Sequence, residues 1–287
     1  MLIRKPRVAA TFYPGTEREI REQVQAWLQD VTVEVPGRVF GGIVPHAGWV
    51  YSGRTAMHLF KALWQGEHPE TVLLFGAVHT PGVPGPSVCG SGAWRTPLGE
   101  VSVDAALAQA LLAADGRFAD RPAAHADEHS IEVQIPFIQA LFPQAKILPV
   151  AMPPTDVALE LGSIAAGVVQ RSGKRVAVVG STDLTHYGPR YGMAPAGSGE
   201  AALAWARAND RRLLDLVVGL QTSRVLAEAH AHYNACGPGA AVAAMAMAQA
   251  LGATRGELLD YTTSYDVMPY GRPSDLVGYG AVALTGD

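Results

Sequence analysis

The stretch Arg175-Val176-Ala177-Val178-Val179-Gly180-Ser181-Thr182-Asp183-Leu184-Thr185-His186 decides the fold. Its first half is a continuous apolar run, which predicts a strand over Arg175 to Gly180 that is buried on both faces. The second half turns abruptly polar, and helical spacing follows at Glu200 to Val218. The same pair stands just upstream, with an apolar run at Lys146 to Ala151 and a helical segment at Val157 to Gln170.

Further toward the N-terminus, Glu17 to Val31 carries Ile20, Val24, Trp27 and Leu28 at the spacing of an amphipathic surface helix. Val39 to Val44 then reads as a strand, Arg54 to Trp64 as a helix, Thr71 to Phe75 as a strand and Ala105 to Ala114 as a helix. Toward the C-terminus come an Ala-rich helix at Ala240 to Leu251 and two strands, Leu258 to Tyr265 and Leu276 to Leu284. Alternation of this kind, with fully apolar strands, predicts an α/β fold: one domain over 1–287, built on a central, mainly parallel or mixed sheet with helices on both faces. The Pro- and Gly-rich loop from Thr80 to Thr96 is long enough to be functional.

The 22 Lys+Arg and 26 Asp+Glu give a net charge of -4 without a run of one sign, which favours neither nucleic acid nor an anionic membrane surface as partner. A small-molecule or peptide substrate fits better. Pro6 interrupts the start before an apolar core of a signal sequence develops, and no segment reaches the roughly 20 apolar residues of a membrane span, so the sequence reads as soluble and cytoplasmic. With 48% apolar residues the chain needs no disulfide, and Cys89 and Cys236 read as reduced thiols.

In open α/β sheets ligands bind at the carboxyl ends of the strands. Three apolar strands are followed there by histidine: Ile43-Val44-Pro45-His46, Leu74-Phe75-Gly76-Ala77-Val78-His79 and Gly180-Ser181-Thr182-Asp183-Leu184-Thr185-His186. Small neighbours, Ala47, Gly48, Gly76 and Ala77, leave room for a ligand. Cys236 joins them from Asn234-Ala235-Cys236-Gly237-Pro238-Gly239, ahead of the Ala-rich helix, where a helix N-terminus is expected to lower the thiol's pKa. His58, His68, His230 and His232 read as surface or capping residues, and Cys89 as packing. The segment Asp127 to Gln134 reads as the opening of a helix that puts His129 and Glu132 on one face of the pocket wall.

These motifs resemble the Memo-like proteins. The resemblance is carried by Thr11-Phe12-Tyr13-Pro14-Gly15, Pro45-His46-Ala47-Gly48-Trp49-Val50-Tyr51-Ser52-Gly53, Thr96-Pro97-Leu98-Gly99, Glu128-His129-Ser130-Ile131-Glu132, Ser181 to Gly188 and Cys236-Gly237, in order along nearly the whole chain. Bacterial and archaeal members are called AmmeMemoRadiSam system protein B, which implies a radical-SAM protein and an AMMECR1-like protein as partners. The family's fold resembles that of the class III extradiol ring-cleavage dioxygenases, which use non-haem iron.

The resemblance implies His46 and His79 as metal ligands, with Cys236 where the dioxygenases place a carboxylate. His186, oriented by Asp183, is implied as the acid/base residue. His129 is implied as a further catalytic group, and Glu128, Tyr187 and Trp49 as substrate-binding residues. The expected cofactor is Fe(II), with Cu or Zn as alternatives, because a thiolate is softer than a carboxylate. The thiolate carries metal or redox chemistry over better than ring cleavage. A second departure is Val78, where the family has serine. Three functions follow: a metal-dependent oxidoreductase, a signalling module that uses the pocket for a peptide or modified side chain, or a cysteine hydrolase or transferase with Cys236 as nucleophile.

Overall fold

The computed structural model describes residues 2–287. Its strands are β1 (Ile3–Arg4), β2 (Arg38–Val44), β3 (Thr71–Gly76), β4 (Ser87–Val88), β5 (Ala93–Thr96), β6 (Gly99–Ser102), β7 (Ala119–Asp120), β8 (Lys146–Ala151), β9 (Val176–Ser181), β10 (His186–Tyr187), β11 (Arg255–Thr263) and β12 (Leu276–Gly286). The helices are α1 (Glu17–Asp30), α2 (Trp49–Gln65), α3 (Ala105–Ala114), α4 (Ile135–Leu141), α5 (Val157–Ser172), α6 (Glu200–Val218), α7 (Thr222–His232), α8 (Pro238–Leu251) and α9 (Ser264–Val267).

The expected α/β architecture is present. β2, β9, β3 and β8 lie side by side and parallel. β12 joins β2 antiparallel, and β4 joins β8 antiparallel, so the sheet is mixed at its flanks. β10 and β11 both pair with β12, while β1, β5 and β6 make a small separate sheet.

Period-two alternation of the apolar strands divides the interior. Leu73, Phe75, Leu148, Val150 and Val178 pack with α3, α5 and α8, whereas Val72, Leu74, Ile147, Ala177 and Val179 pack with α1, α2 and α4. Each large apolar side chain so buried contributes about 1.5–3 kcal/mol. No helix among the described residues is long and apolar enough to cross a membrane.

The short strands β4 to β7 and β10 and the helix α4 had no counterpart in the expected layout, and further elements depart from it in their bounds. α2 begins at Trp49 rather than Arg54, because the Gly48 carbonyl accepts the amides of Tyr51 and Ser52 and opens the helix ahead of its charged face. α7 was expected only as a polar helix end at His230 and His232, without bounds, because its apolar stripe is just Val225, Leu226 and Ala229. The strand expected over Leu258 to Tyr265 runs from Arg255 and ends at Thr263, since Thr263 and Asp266 form a reciprocal cap that ends β11 and starts α9.

α8 is almost wholly alanine on its inner face, which brings its backbone close to α5 and the sheet. At Gly162 of α5 the approach is tightest, because a Cβ there would overlap the Ala243 backbone. Replacing Gly162 with Ala is therefore expected to cost about 1–3 kcal/mol through overpacking, despite alanine's better helix propensity. Chemical denaturation measures this; an unchanged or raised midpoint would show that the two helices separate freely.

Candidate metal centre

The three central strands deliver the site in register. Val44 of β2 lies opposite Ser181 of β9, and Phe75 of β3 opposite Gly180, so the chain leaves all three strands at one level. His46, His79 and the Thr182–His186 loop follow directly. The fourth contribution, Cys236, comes from the turn between α7 and α8. Gly237 permits this approach, since a Cβ there would meet the Ser181 carbonyl. The Gly237 amide donates to Thr182 Oγ1 at 2.9 Å.

His46 Nε2, His79 and Cys236 Sγ present donor atoms within 4.8 Å of one another. The Cys236 Sγ to His46 Nε2 distance is 3.1 Å. Metal–sulfur and metal–nitrogen bonds of about 2.3 and 2.0 Å that meet near a right angle span about the same distance, so the pair fits one edge of a coordination polyhedron.

Each histidine is held from behind. The Ser181 hydroxyl donates to the Ser130 carbonyl at 2.8 Å, so its oxygen accepts His46 Nδ1–H at 3.0 Å and leaves Nε2 with a free lone pair. His79 Nδ1 donates to Glu128 Oε1 at 3.0 Å, again leaving Nε2 free. Glu128 also accepts the amides of His79, His129 and Ser130. His46 is 2% exposed, while the His79 side chain is 35% exposed and opens the site to solvent.

The electrostatics follow from this packing. Burial pushes the His46 imidazole well below its ordinary pKa, and the neighbouring His79 and His129 push the same way. Burial also disfavours charge on His79, but the hydrogen bond and charge of Glu128 outweigh it and raise its pKa. Burial, and then the nearby Asp183 carboxylate, push the Cys236 thiol up. The expected lowering by the helix N-terminus is thus overturned, because desolvation of a buried thiolate exceeds the helix dipole. A metal cation at the three donors would supply the missing positive charge.

The remaining site residues are distributed differently from expectation. Residues 127–131 do not begin a helix. A 3-10 turn starts at Glu132–Gln134, and Glu132 turns away to bind Arg4, the amides of Arg7 and Val8, and the Tyr13 hydroxyl. His129 faces the site, stacked on His79 at 5.0 Å and edge-on to Phe12 at 4.9 Å. Asp183 does not hydrogen-bond His186; its Oδ1 accepts the amides of His46 at 2.7 Å and Ala47 at 3.2 Å. His186 Nδ1 instead donates to the Leu184 carbonyl at 3.1 Å, and its ring meets Tyr191 edge-on at 5.1 Å.

Glu128 sits behind His79 as its anchor. Tyr187 is fully buried, with its hydroxyl between the Ala196 amide and the Gly197 carbonyl. Trp49 is buried too; its indole N–H donates to the Val133 carbonyl and its ring stacks on Phe137. His58, expected at the surface, is buried with Nδ1 on the Arg54 carbonyl. Beside Cys236 and His186 opens a cavity of about 430 Å³ whose walls include Pro154, His230 and Tyr233.

Ser181 is the residue that sequence reasoning missed. Its signal was a hydroxyl at the last position of an otherwise apolar strand. Asp210 of α6 was missed as well. It is buried, its carboxylate accepts the Thr185 amide at 2.8 Å and the Tyr261 hydroxyl at 2.7 Å, and it thereby fixes the loop that carries Asp183 and His186. Asn209 supports the same loop through Thr185 Oγ1 at 3.0 Å.

Fold and site together define an α/β protein with a His/His/Cys pocket at the carboxyl edge of its sheet. The family model described as "Memo-like protein" matches residues 4–283. A MEMO1 family protein of Methanopyrus kandleri is 35% identical over 294 residues, covering 98% of each chain. One from Thermococcus kodakarensis is 36% identical over 297 residues, covering 99% of each, and one from Methanosarcina barkeri is 34% identical over 98% of this chain and 100% of its own. The chain belongs to the Memo-like family.

Two outcomes follow from the site's hydrogen bonds. Ser181→Ala and Glu128→Ala each free one histidine ring and are expected to weaken metal affinity about 10–100-fold, as measured by competition with a chelator. Unchanged affinity in both would show that the rings are held by packing alone. Burial raises the Asp210 carboxyl to about 6, against opposition from Thr185 and Tyr261. The folded state therefore holds this proton more tightly than the unfolded chain, and Asp210 contributes stability at low pH that is lost as pH rises through about 6. Asp210→Asn is expected to flatten that part of the stability–pH curve; a curve of unchanged slope between the ordinary carboxylate range and pH 6 would refute the assignment.

Proposed function

We propose that this protein is a metal-dependent oxidoreductase whose metal, Fe(II) by preference and copper as the nearest alternative, is held by His46, His79 and Cys236. The observation that carries this reading is the commitment of both histidine Nδ1 atoms, to Ser181 and Glu128, which leaves both Nε2 lone pairs free, with His46 Nε2 3.1 Å from the Cys236 thiol and His79 within 4.8 Å of both. A carboxylate–histidine pair behind a ligand is a recurrent feature of metal sites. When bound, a redox metal in such a soft, mixed donor set supplies electron exchange with O₂ or an organic substrate.

The chain's own residues serve the rest. The cavity beside Cys236 and His186 accommodates a small substrate. His186 keeps Nδ1–H on the Leu184 carbonyl, so Nε2 is the atom that exchanges a proton. Asp183, with one oxygen on two backbone amides, places a negative charge beside it. His129, stacked on His79, is the group that positions a substrate oxygen.

The 3.1 Å sulfur–nitrogen distance also fits the thiol–imidazole pair of a cysteine hydrolase or transferase. Against that second reading, the His46 Nδ1 partner is a hydroxyl rather than a carboxylate, and a third donor, His79, stands within 4.8 Å.

Elemental analysis after anaerobic purification from iron-replete culture separates the two. The parent is expected to carry stoichiometric redox metal and Cys236→Ser to lose most of it, with bound metal protecting Cys236 from iodoacetamide. A metal-free parent whose thiol labels rapidly, at a rate that added Fe(II) or Cu(I) does not change, would overturn the oxidoreductase in favour of the hydrolase.

A further inference from the structure

A second cavity, of about 670 Å³, lies on the other side of Phe12 from the metal centre, between the N-terminal segment, α1, the start of α2 and β11. Its volume is in the range of small-molecule sites. Its walls are aromatic: Phe12, Trp27, Trp49, Tyr51 and Tyr261 all contribute. No residue of the proposed metal set lines it.

Its charge is unbalanced. Asp260 puts a carboxylate into the wall, with a side chain only 26% exposed. One oxygen, Oδ2, accepts the Thr55 hydroxyl at 2.7 Å, and among the described residues Oδ1 has no hydrogen-bond donor. The nearest group able to carry positive charge, His58 Nδ1, stands 3.7 Å away and its hydrogen is already on the Arg54 carbonyl at 3.0 Å. The other charged residue of the wall, Arg54, turns its Nε and Nη2 onto Asp30 Oδ2 at 2.9 and 2.8 Å. Arg54 and Asp30 thus cancel, and Asp260 remains as net negative charge among aromatic rings. β11 carries a register shift between Leu258 and Asp260 where it pairs with β12. Such bulges re-aim the side chain that follows them.

A carboxylate about a quarter exposed, with one oxygen free of protein donors and facing aromatic rings, is better satisfied by a cation than by the little water that reaches it. Aromatic faces attract the same cations through their quadrupoles and bury an apolar body. We propose that this cavity is a binding site for a small hydrophobic amine, whose ammonium group pairs with Asp260 Oδ1 while its apolar body lies against Trp27 and Tyr51. The site is independent of the metal chemistry proposed above.

The probes are benzylammonium, its neutral isostere benzyl alcohol, and the anion phenylacetate, titrated into the full chain with tryptophan fluorescence and calorimetry as readouts. Benzylammonium is expected to saturate the site and to bind at least about tenfold more tightly than benzyl alcohol, which corresponds to about 1.4 kcal/mol for the ion pair and cation–π contacts together. Phenylacetate is expected not to bind. Asp260→Asn, which retains an acceptor for Thr55, should abolish the preference for the cation, and Tyr51→Leu should weaken benzylammonium severalfold, both without loss of metal content. Equal binding of cation and alcohol, no saturable binding of benzylammonium at millimolar concentrations, or an unchanged preference in Asp260→Asn would each overturn the proposal. The comparison of the three probes on the parent protein decides the matter even if a variant does not fold.

Discussion

Two hydrogen bonds to histidine Nδ1 atoms hold the rest of the site in place. A free imidazole has two tautomers and a rotatable ring, and only one arrangement presents Nε2 to a shared ligand. Ser181 and Glu128 select that arrangement for His46 and His79. Each in turn is fixed by backbone: Ser181 donates to the Ser130 carbonyl, and Glu128 accepts the amides of His79, His129 and Ser130. The segment 128–131 is therefore irregular for a reason. Its turn lets the Glu128 side chain fold back onto the amides of His129 and Ser130 and still reach the amide and ring of His79.

Charge follows the same economy. Burial disfavours the charged form of the Cys236 thiol and of Asp183 alike, while His79 and His129 stay partly open to solvent. The Asp183 carboxylate keeps its place through the amides of His46 and Ala47 rather than through a salt bridge. It thus links the His46 turn to the loop of His186. Asp210 and Asn209 secure that loop from α6, and the tight fit at Gly278, where any side chain would meet the Asp210 carboxylate, closes it from β12.

Much of this was legible in sequence, and the limits were physical. The strands β2, β3, β8 and β9 were readable because burial on both faces demands unbroken apolar runs. His46, His79, His186 and Cys236 were readable because strand ends and a helix start are where such a fold exposes side chains. Partnership was less legible. Asp183 lies three residues from His186, yet the extended loop points its carboxylate at the His46 turn instead. His129 and Glu132 share a helical spacing, but without a helix at 129 they face opposite directions. Trp49 and Tyr187 fall within motifs of the family, and their rings serve packing: one on Phe137, the other within the core beneath α6. Ser181 was hidden because a single hydroxyl at a strand end carries no periodic signal.

The positions of the three donors along the chain have a consequence for assembly. His46, His79 and Cys236 arrive from distant parts of the sequence, and they meet only after the β2, β9 and β3 pairings and the docking of α8 are complete. Such non-local closure comes late, once loop entropy has been overcome by the surrounding core. A metal ion therefore finds no partial version of this site to nucleate around. Unlike a small zinc module, whose ion is the fold's own scaffold, this chain reaches its shape by hydrophobic burial, and a metal held by these donors would arrive afterward as a guest.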